Sequence, residues 1–257
     1  MTEDYRDEPL EEHPRRRRRG IFLLPSIVTV GNMFCGWACV VFAMRGELAT
    51  AAPFIGIAIV LDMLDGRIAR LTNTTSAFGV EFDSLADVIS FGLAPAVLAF
   101  AWGLSDLGRL GWAAGFIYLT AAAMRLARFN IQSAAQGDKR FFIGMPTPAA
   151  AGVVASTVFA VPLPLEGYPQ ALAALAVMLG PGALMVSTIR FRSFKTINFG
   201  WGRSYMPLFI FAVIISLIAT EPRVTLVVIA YAYVLSAFIE WGLGRLRAHR
   251  EPPAPTS

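Results

Sequence analysis

Four aspartates stand close together between two apolar stretches of this sequence: Asp62, Asp65, Asp83 and Asp87. A carboxylate inside an apolar helix is strongly destabilising unless it is paired or bound to a metal. Asp62 and Asp65 are three residues apart, and Asp83 and Asp87 are four apart, so each pair lies on one face of a helix. Because a short connection makes the two helices antiparallel neighbours, the four carboxylates can converge.

Such a cluster predicts a site for divalent cations. Converging anions repel one another unless cations neutralise them, and hard oxygen ligands suit Mg²⁺ or Mn²⁺. Mg²⁺ commonly binds together with a phosphate-bearing substrate. Gly66 and Gly79 leave room for a nucleotide to approach the helices. Arg67 and Arg70 supply positive charge where a diphosphate would lie, so the residues indicate chemistry on a phosphate ester.

The spacing Asp-x2-Asp-Gly-x2-Ala-Arg-x8-Gly-x3-Asp-x3-Asp in residues 62–87 resembles the signature of the CDP-alcohol phosphotransferases and matches it at each fixed position. The resemblance implies that the four aspartates hold two divalent ions, Mg²⁺ or Mn²⁺. It also implies that Asp87 is the general base for the acceptor hydroxyl. An alcohol would attack the β-phosphorus of CDP-diacylglycerol, and CMP would leave. Four residues would surround the CDP moiety: Gly66, Ala69, Arg70 and Gly79.

Weaker regional similarity indicates the acceptor. Segments 24–32, 125–130 and 142–150 are similar to the phosphatidylserine synthase branch of that family, with Met145 and Thr147 as mild departures. This likeness implies phosphatidyl transfer to L-serine. Serine is a zwitterion, so its pocket should offer a cation to the carboxylate and an acceptor to the ammonium. Candidates for that pocket are Arg125, Arg128, Asn130 and Arg140, with Arg128 and Asn130 preferred.

The elements that carry these residues are predicted membrane spans. The chain has 257 residues, of which 56% are hydrophobic and 16% charged, whereas about 25% of a soluble domain is charged. The apolar residues form blocks near the roughly 20 residues that cross a bilayer. We predict an all-α polytopic membrane helix bundle of about eight transmembrane helices, at residues 23–44, 48–64, 82–102, 112–124, 146–163, 168–189, 205–220 and 225–243. Gly180-Pro181-Gly182 is expected to break or kink the sixth.

The basic residues predict the orientation of these spans. With eight spans, both termini lie on one side, and all but three of the 22 basic residues fall on that side; the exceptions are Arg45, Arg109 and Arg223. Because basic residues are retained in the cytoplasm, we expect cytoplasmic termini and an active site at the cytoplasmic face of the inner membrane. The run from Arg15 to Arg19 indicates contact with anionic lipid, not with nucleic acid. The same bias also accounts for any single arginine of the acceptor candidates.

Three regions follow from these patterns. Residues 1–20 are predicted to be a disordered basic cytoplasmic tail, residues 21–245 the transmembrane CDP-alcohol phosphotransferase domain, and residues 246–257 a second disordered cytoplasmic tail. The two histidines, His13 and His249, fall in or beside these tails, which disfavours a zinc site or histidine-based catalysis. By analogy with the family, we expect a homodimer.

Two other functions fit parts of the pattern. The first is the same chemistry with another acceptor, such as glycerol 3-phosphate, inositol phosphate or choline; the basic loop at residues 190–195 could bind a phosphorylated acceptor. The second is a divalent-cation transporter that uses the aspartates as a permeation site. A transporter would place its carboxylates near the bilayer midplane, between two matching halves. The sequence instead shows one cluster at one interface and no matching half.

Overall fold

The computed structural model describes residues 23–72, 76–134, 141–192 and 205–248. Arg140, both histidines and most of the two predicted tails lie outside these residues. The described chain is mainly helical, as predicted. Its helices are α1 (Leu23–Met44), α2 (Leu48–Leu71), α3 (Ala77–Asp87), α4 (Ala94–Trp102), α5 (Arg109–Ala134), α6 (Thr147–Ala160), α7 (Tyr168–Val186), α8 (Met206–Thr220) and α9 (Pro222–Ala248).

Within the described ranges, six helical stretches are long and apolar enough to cross a membrane. They are Ser26–Met44, Leu48–Leu71, Ala77–Trp102, Arg109–Gln132, Tyr168–Val186 and Pro222–Ile239. The apolar helices α6 and α8 have only 14 and 15 residues, which at about 1.5 Å per residue is less than the roughly 30 Å hydrocarbon core. The chain therefore has the helices of a multi-pass membrane protein. The count of eight spans stays a prediction.

The helices pack through small side chains. The contact between α1 and α2 is the most extensive in the described bundle, and α1 also touches α3 and α4. Buried alanines such as Ala43, Ala51 and Ala58 line this region, and small residues let membrane helices approach closely. The C-terminal part of α2, the C-terminal part of α3 and the N-terminal half of α1 consequently lie together at one end of the bundle.

The third span contains a feature that the apolar pattern did not predict. Between α3 and α4 lies a π-helical turn, Val88–Leu93, in which the Ala94 N–H donates to the Ile89 carbonyl. Pro95 explains it, because proline has no N–H and its ring crowds the carbonyl four residues earlier. The wider turn relieves that crowding. It begins directly after Asp87, so it sets where the end of α3 points.

Pro181 lies inside the sixth predicted span without ending its helix. The helix α7 runs unbroken from Tyr168 to Val186 with Pro181 inside it. The helix is therefore not broken at Gly180-Pro181-Gly182, and the alternative expectation of a kink there stays a prediction. A proline removes only one hydrogen bond from a helix, and the packing of Gly182 against Tyr118 of α5 supports α7 at this point.

The fold also contains one small sheet that the all-α prediction missed. Strands β1 (Phe141–Ile143) and β2 (Arg190–Arg192) pair antiparallel. The hydrogen bonding continues one residue beyond the strands, where the Gly144 N–H donates to the Ile189 carbonyl at 2.9 Å. The ladder ties the segment before α6 to the segment after α7. Three-residue strands with mixed side chains give no alternating pattern long enough to detect.

One close approach in the fold gives a stability prediction. At the start of α5, a Cβ at Gly111 would overlap the Leu104 carbonyl. We expect Gly111→Ala to lower the apparent Tm in detergent by several degrees, since overpacking costs about 1–3 kcal/mol. The matched control is Gly115→Ala, whose added methyl would meet Ala96 Cβ at an ordinary 4.0 Å. Equal Tm values for the two variants would contradict this packing.

Candidate active site

Three aspartates from two helices converge at one end of the bundle. Asp62 comes from α2, and Asp83 and Asp87 come from α3. Each offers a carboxylate oxygen, and these three atoms lie within 4.8 Å of one another. The convergence is the one expected from the helical spacing, and α1 packs against both helices. We call Asp62, Asp65, Asp83 and Asp87 the acidic cluster.

The fourth member, Asp65, lies beside these three and is almost fully buried. Its carboxyl group contacts that of Asp83. It also accepts a hydrogen bond from the Thr29 hydroxyl at 3.1 Å. Asp65 therefore bridges the cluster to the first helix.

Helix α1 contributes two polar side chains to the cluster. Thr29 donates to Asp65, and the Asn32 Nδ2 donates to Asp87 Oδ1 at 3.2 Å. Thr29 and Asn32 are three residues apart and so share one face of α1. Both residues belong to a segment that carries the family resemblance, and no role was predicted for them. The signal was present, because two buried polar residues at helical spacing inside an apolar span need partners.

The acidic cluster fits a divalent cation. Asp83 Oδ1 is buried and has no hydrogen-bond partner among the described residues. An uncompensated carboxylate oxygen beside two further carboxylates is unfavourable, and a bound cation would compensate it. The donors are all carboxylate oxygens, which is the ligand chemistry of Mg²⁺ and Mn²⁺.

The residues predicted to surround CDP occupy different environments. A Cβ at Gly66 would meet no described atom within 4 Å, so this glycine borders open space next to the cluster. Gly79 instead lies in the N-terminal cap of α3, where its N–H donates to Ser76 Oγ at 3.0 Å. Ala69 is half-buried. Arg70 is exposed, and its Nε donates to the Gly66 carbonyl at 2.7 Å.

The acceptor candidates on α5 differ in their exposure to solvent. Arg125 is only 8% exposed, and its guanidinium lies 5.3 Å from the centre of the Phe129 ring. Its charge interacts with Asp87 and Asp62. Arg128, which the sequence analysis preferred, is exposed. Burial and its interaction with the aspartates therefore favour Arg125 over Arg128 as the cation beside the acidic cluster.

Two further side chains complete this region. Asn130 is half-buried and donates through Nδ2 to Ser84 Oγ at 2.9 Å, which links α5 to α3. Tyr233 of α9 interacts electrostatically with Arg125. No part in the site was predicted for α9, because a single tyrosine in an apolar span is not a signal for one.

Comparison with known proteins identifies the lineage of this site. The family model described as CDP-alcohol phosphatidyltransferase matches residues 22–189. The chain belongs to that family. The CDP-alcohol phosphatidyltransferase match contains the whole acidic cluster and Arg125, whereas α8 and α9 lie beyond it.

Several relatives within the CDP-alcohol phosphatidyltransferases are similar over most of their length. The CDP-diacylglycerol–serine O-phosphatidyltransferase of Helicobacter pylori strain 26695 is 40% identical over 227 residues, or 86% of this chain and 92% of the relative. The protein of the same name from Bacillus subtilis is 34% identical, over 67% of this chain and 91% of the relative. The archaetidylserine synthase of Methanothermobacter thermautotrophicus is 32% identical, over 65% of this chain and 69% of the relative.

Proposed function

We propose that this protein transfers the phosphatidyl group of CDP-diacylglycerol to the hydroxyl of L-serine, giving phosphatidylserine and CMP. The observation that carries the proposal is the convergence of Asp62, Asp83 and Asp87 within 4.8 Å at the end of a membrane bundle of this family. Relatives that are named for transfer to serine support the choice of acceptor.

The acidic cluster would hold two divalent ions, Mg²⁺ or Mn²⁺, through Asp62, Asp65, Asp83 and Asp87. When bound, such ions neutralise the diphosphate and stabilise charge on the leaving group. Gly66, Ala69, Arg70 and Gly79 would surround the CDP moiety. The open space in front of Gly66 supports its part in this assignment most directly.

The proposed reaction is a single displacement at phosphorus. The serine hydroxyl oxygen forms a bond to the β-phosphorus of CDP-diacylglycerol, and the bond from that phosphorus to the bridging oxygen breaks. CMP leaves with the bonding electron pair. The hydroxyl proton passes to the carboxylate of Asp87, which acts as the general base. Asp87 suits this role because Asn32 holds one of its oxygens and Arg125 places a positive charge nearby.

For the acceptor pocket, we assign Arg125 to the serine carboxylate. A guanidinium presents paired N–H donors that match a carboxylate. Asn130, five residues later on the same helix, donates a hydrogen bond to Ser84 Oγ. Arg128 and Arg140 remain candidates for this pocket.

We infer the following topology and location. Eight spans, including the short α6 and α8, would place both termini and the acidic cluster at the cytoplasmic face of the inner membrane. Arg45, Arg109 and Arg223 support this orientation, because each lies at a helix end away from the cluster. Residues 1–20 and 246–257 would be cytoplasmic tails flanking the transmembrane domain at 21–245. The working form would be a homodimer, by analogy with the family.

The test is CMP release from CDP-diacylglycerol by the purified protein in detergent with Mn²⁺ or Mg²⁺. Serine, glycerol 3-phosphate, inositol phosphate and choline are offered singly. We expect release with serine, and its loss on chelation of the metal. Release with another alcohol alone would retain the chemistry and reject serine. No release with any alcohol, together with binding of divalent ions, would favour the transporter.

A further inference from the structure

Helix α1 carries no member of the acidic cluster, yet it contacts both of the cluster's buried members, Asp65 and Asp87. Asn32 is fully buried, and Asp87 is 7% exposed. The hydrogen bond between them is charge-assisted and shielded from water, which makes it stronger than a neutral surface bond. We propose that Asn32 is a positioning residue that fixes the carboxylate of Asp87. This inference rests on the proposed function, in which Asp87 takes the hydroxyl proton.

The backbone of Asn32 is tied to the same turn as its side chain. Ser90 Oγ donates to the Asn32 carbonyl at 2.9 Å, and Ser90 follows Asp87 by three residues, inside the π-helical turn. Asn32 is thus joined to the third span by two hydrogen bonds of different kinds. The bond from Ser90 holds the Asn32 main chain, and the bond from the Asn32 side chain holds the Asp87 carboxylate. The position of the carboxylate is therefore fixed relative to the backbone of α1.

A glycine sets the distance between the two helices. A Cβ at Gly36, one turn after Asn32, would lie 2.7 Å from Ser90 Cα and 2.6 Å from Ser90 Oγ. Real Cβ atoms do not approach a backbone carbon so closely, so any larger residue must push α1 away from the π-helical turn. The 3.2 Å bond from Asn32 to Asp87 would then lengthen beyond hydrogen-bonding distance.

The π-helical turn makes such a tether necessary. Its wider hydrogen-bonding pattern is less regular than that of an α-helix, and π-helical turns occur often at functional sites. Asp87 is the last residue of α3 before this turn. Without the contact to Asn32, this carboxylate would lose the side-chain hydrogen bond that holds it in the cluster. A positional shift of about 1 Å can reduce a rate by roughly two orders of magnitude.

The Asn32 side chain also has an unsatisfied hydrogen-bond acceptor. Its Oδ1 is buried and has no hydrogen-bond partner among the described residues. An asparagine that served only to hold two helices together would be expected to satisfy both ends of its amide. Here only the end that faces Asp87 is used. The arrangement points to the donor to Asp87 as the purpose of the side chain.

The experiment compares Asn32→Leu, which removes the amide at similar volume, with a matched pair of glycine variants on α1. Gly36→Ala keeps every polar group but displaces the helix. Gly31→Ala adds the same methyl where it meets only the tip of Leu61 at 3.4 Å. CMP release with serine gives kcat and KM, and thermal unfolding in detergent reports the fold.

We expect Asn32→Leu and Gly36→Ala to lower kcat at least about tenfold with little change in KM for CDP-diacylglycerol, because positioning acts in the transition state. Gly31→Ala should retain kcat. In an Asp87→Asn background, Asn32→Leu should change the remaining rate by less than about twofold, since residues that act as a unit are not additive.

Three results would overturn the inference: an unchanged kcat in Asn32→Leu, equal effects of the two glycine variants, or a full additional loss in the Asp87→Asn background. The last would show that Asn32 acts by supporting the fold and not through Asp87. These results differ from failure of the proposed function, in which the unaltered protein releases no CMP with serine.

Discussion

Replacing Asp87 by asparagine is expected to reduce kcat for CMP release by about 10³-fold, within the usual contribution of a general base and of metal ligation. The substitution keeps the volume and the contact with Asn32 but removes the charge. The measurement is CMP release with serine at saturating Mn²⁺. The control is Glu81→Gln on the same helix, which removes an exposed carboxylate and should retain activity.

Thermal unfolding separates this loss from a loss of structure. Asp87→Asn removes one of several mutually repelling charges, so without divalent ions its Tm should equal or exceed that of the unaltered protein. Added Mn²⁺ should raise the Tm of the unaltered protein and raise that of Asp87→Asn less, because ligand binding stabilises the folded state. An Asp87→Asn variant with full activity would remove Asp87 from the mechanism.

The second large effect is expected at Arg125. Lysine at this position keeps the positive charge beside the acidic cluster but loses the paired donors that fit a carboxylate. We therefore expect Arg125→Lys to raise KM for serine at least about tenfold, with a much smaller change in KM for CDP-diacylglycerol. Initial rates with each substrate varied in turn measure both constants.

The same helix provides the control for this experiment. Arg109→Lys changes an exposed arginine at the opposite end of α5 and should leave both constants unchanged. Arg128→Lys decides between the two acceptor candidates. If Arg128→Lys raises KM for serine and Arg125→Lys does not, the assignment based on burial is wrong.

The sequence was most informative where residue spacing and helical geometry act together. The separations of Asp62 from Asp65 and of Asp83 from Asp87 were enough to predict convergence, because a helix fixes which side chains share a face. Hydropathy located the long helices for the same local reason. Helices α2 and α5 continue past the apolar blocks predicted at residues 48–64 and 112–124, since both run into polar segments that a hydropathy window excludes.

Features that depend on contacts between distant segments could not be predicted from local residue spacing. The π-helical turn follows from Pro95 and its packing, and the two-stranded sheet joins segments about 50 residues apart. The burial of Arg125 and the exposure of Arg128 depend on how α5 is rotated against its neighbours. The bias of basic residues toward one side of the membrane applies equally to both arginines. Counting charges therefore could not show which of the two is buried.

The origin of the acidic cluster has a consequence for how such proteins can diversify. All four aspartates come from one contiguous hairpin, α2 and α3, whereas the charged residue beside them comes from α5 and its neighbouring tyrosine from α9. Under the proposed function, the part that handles the phosphate is therefore encoded by this one hairpin, separate from the parts that face the alcohol. Changes in α5 or α9 can alter substrate choice while the inherited hairpin stays intact, and a lineage can acquire a new lipid headgroup without first losing its catalyst.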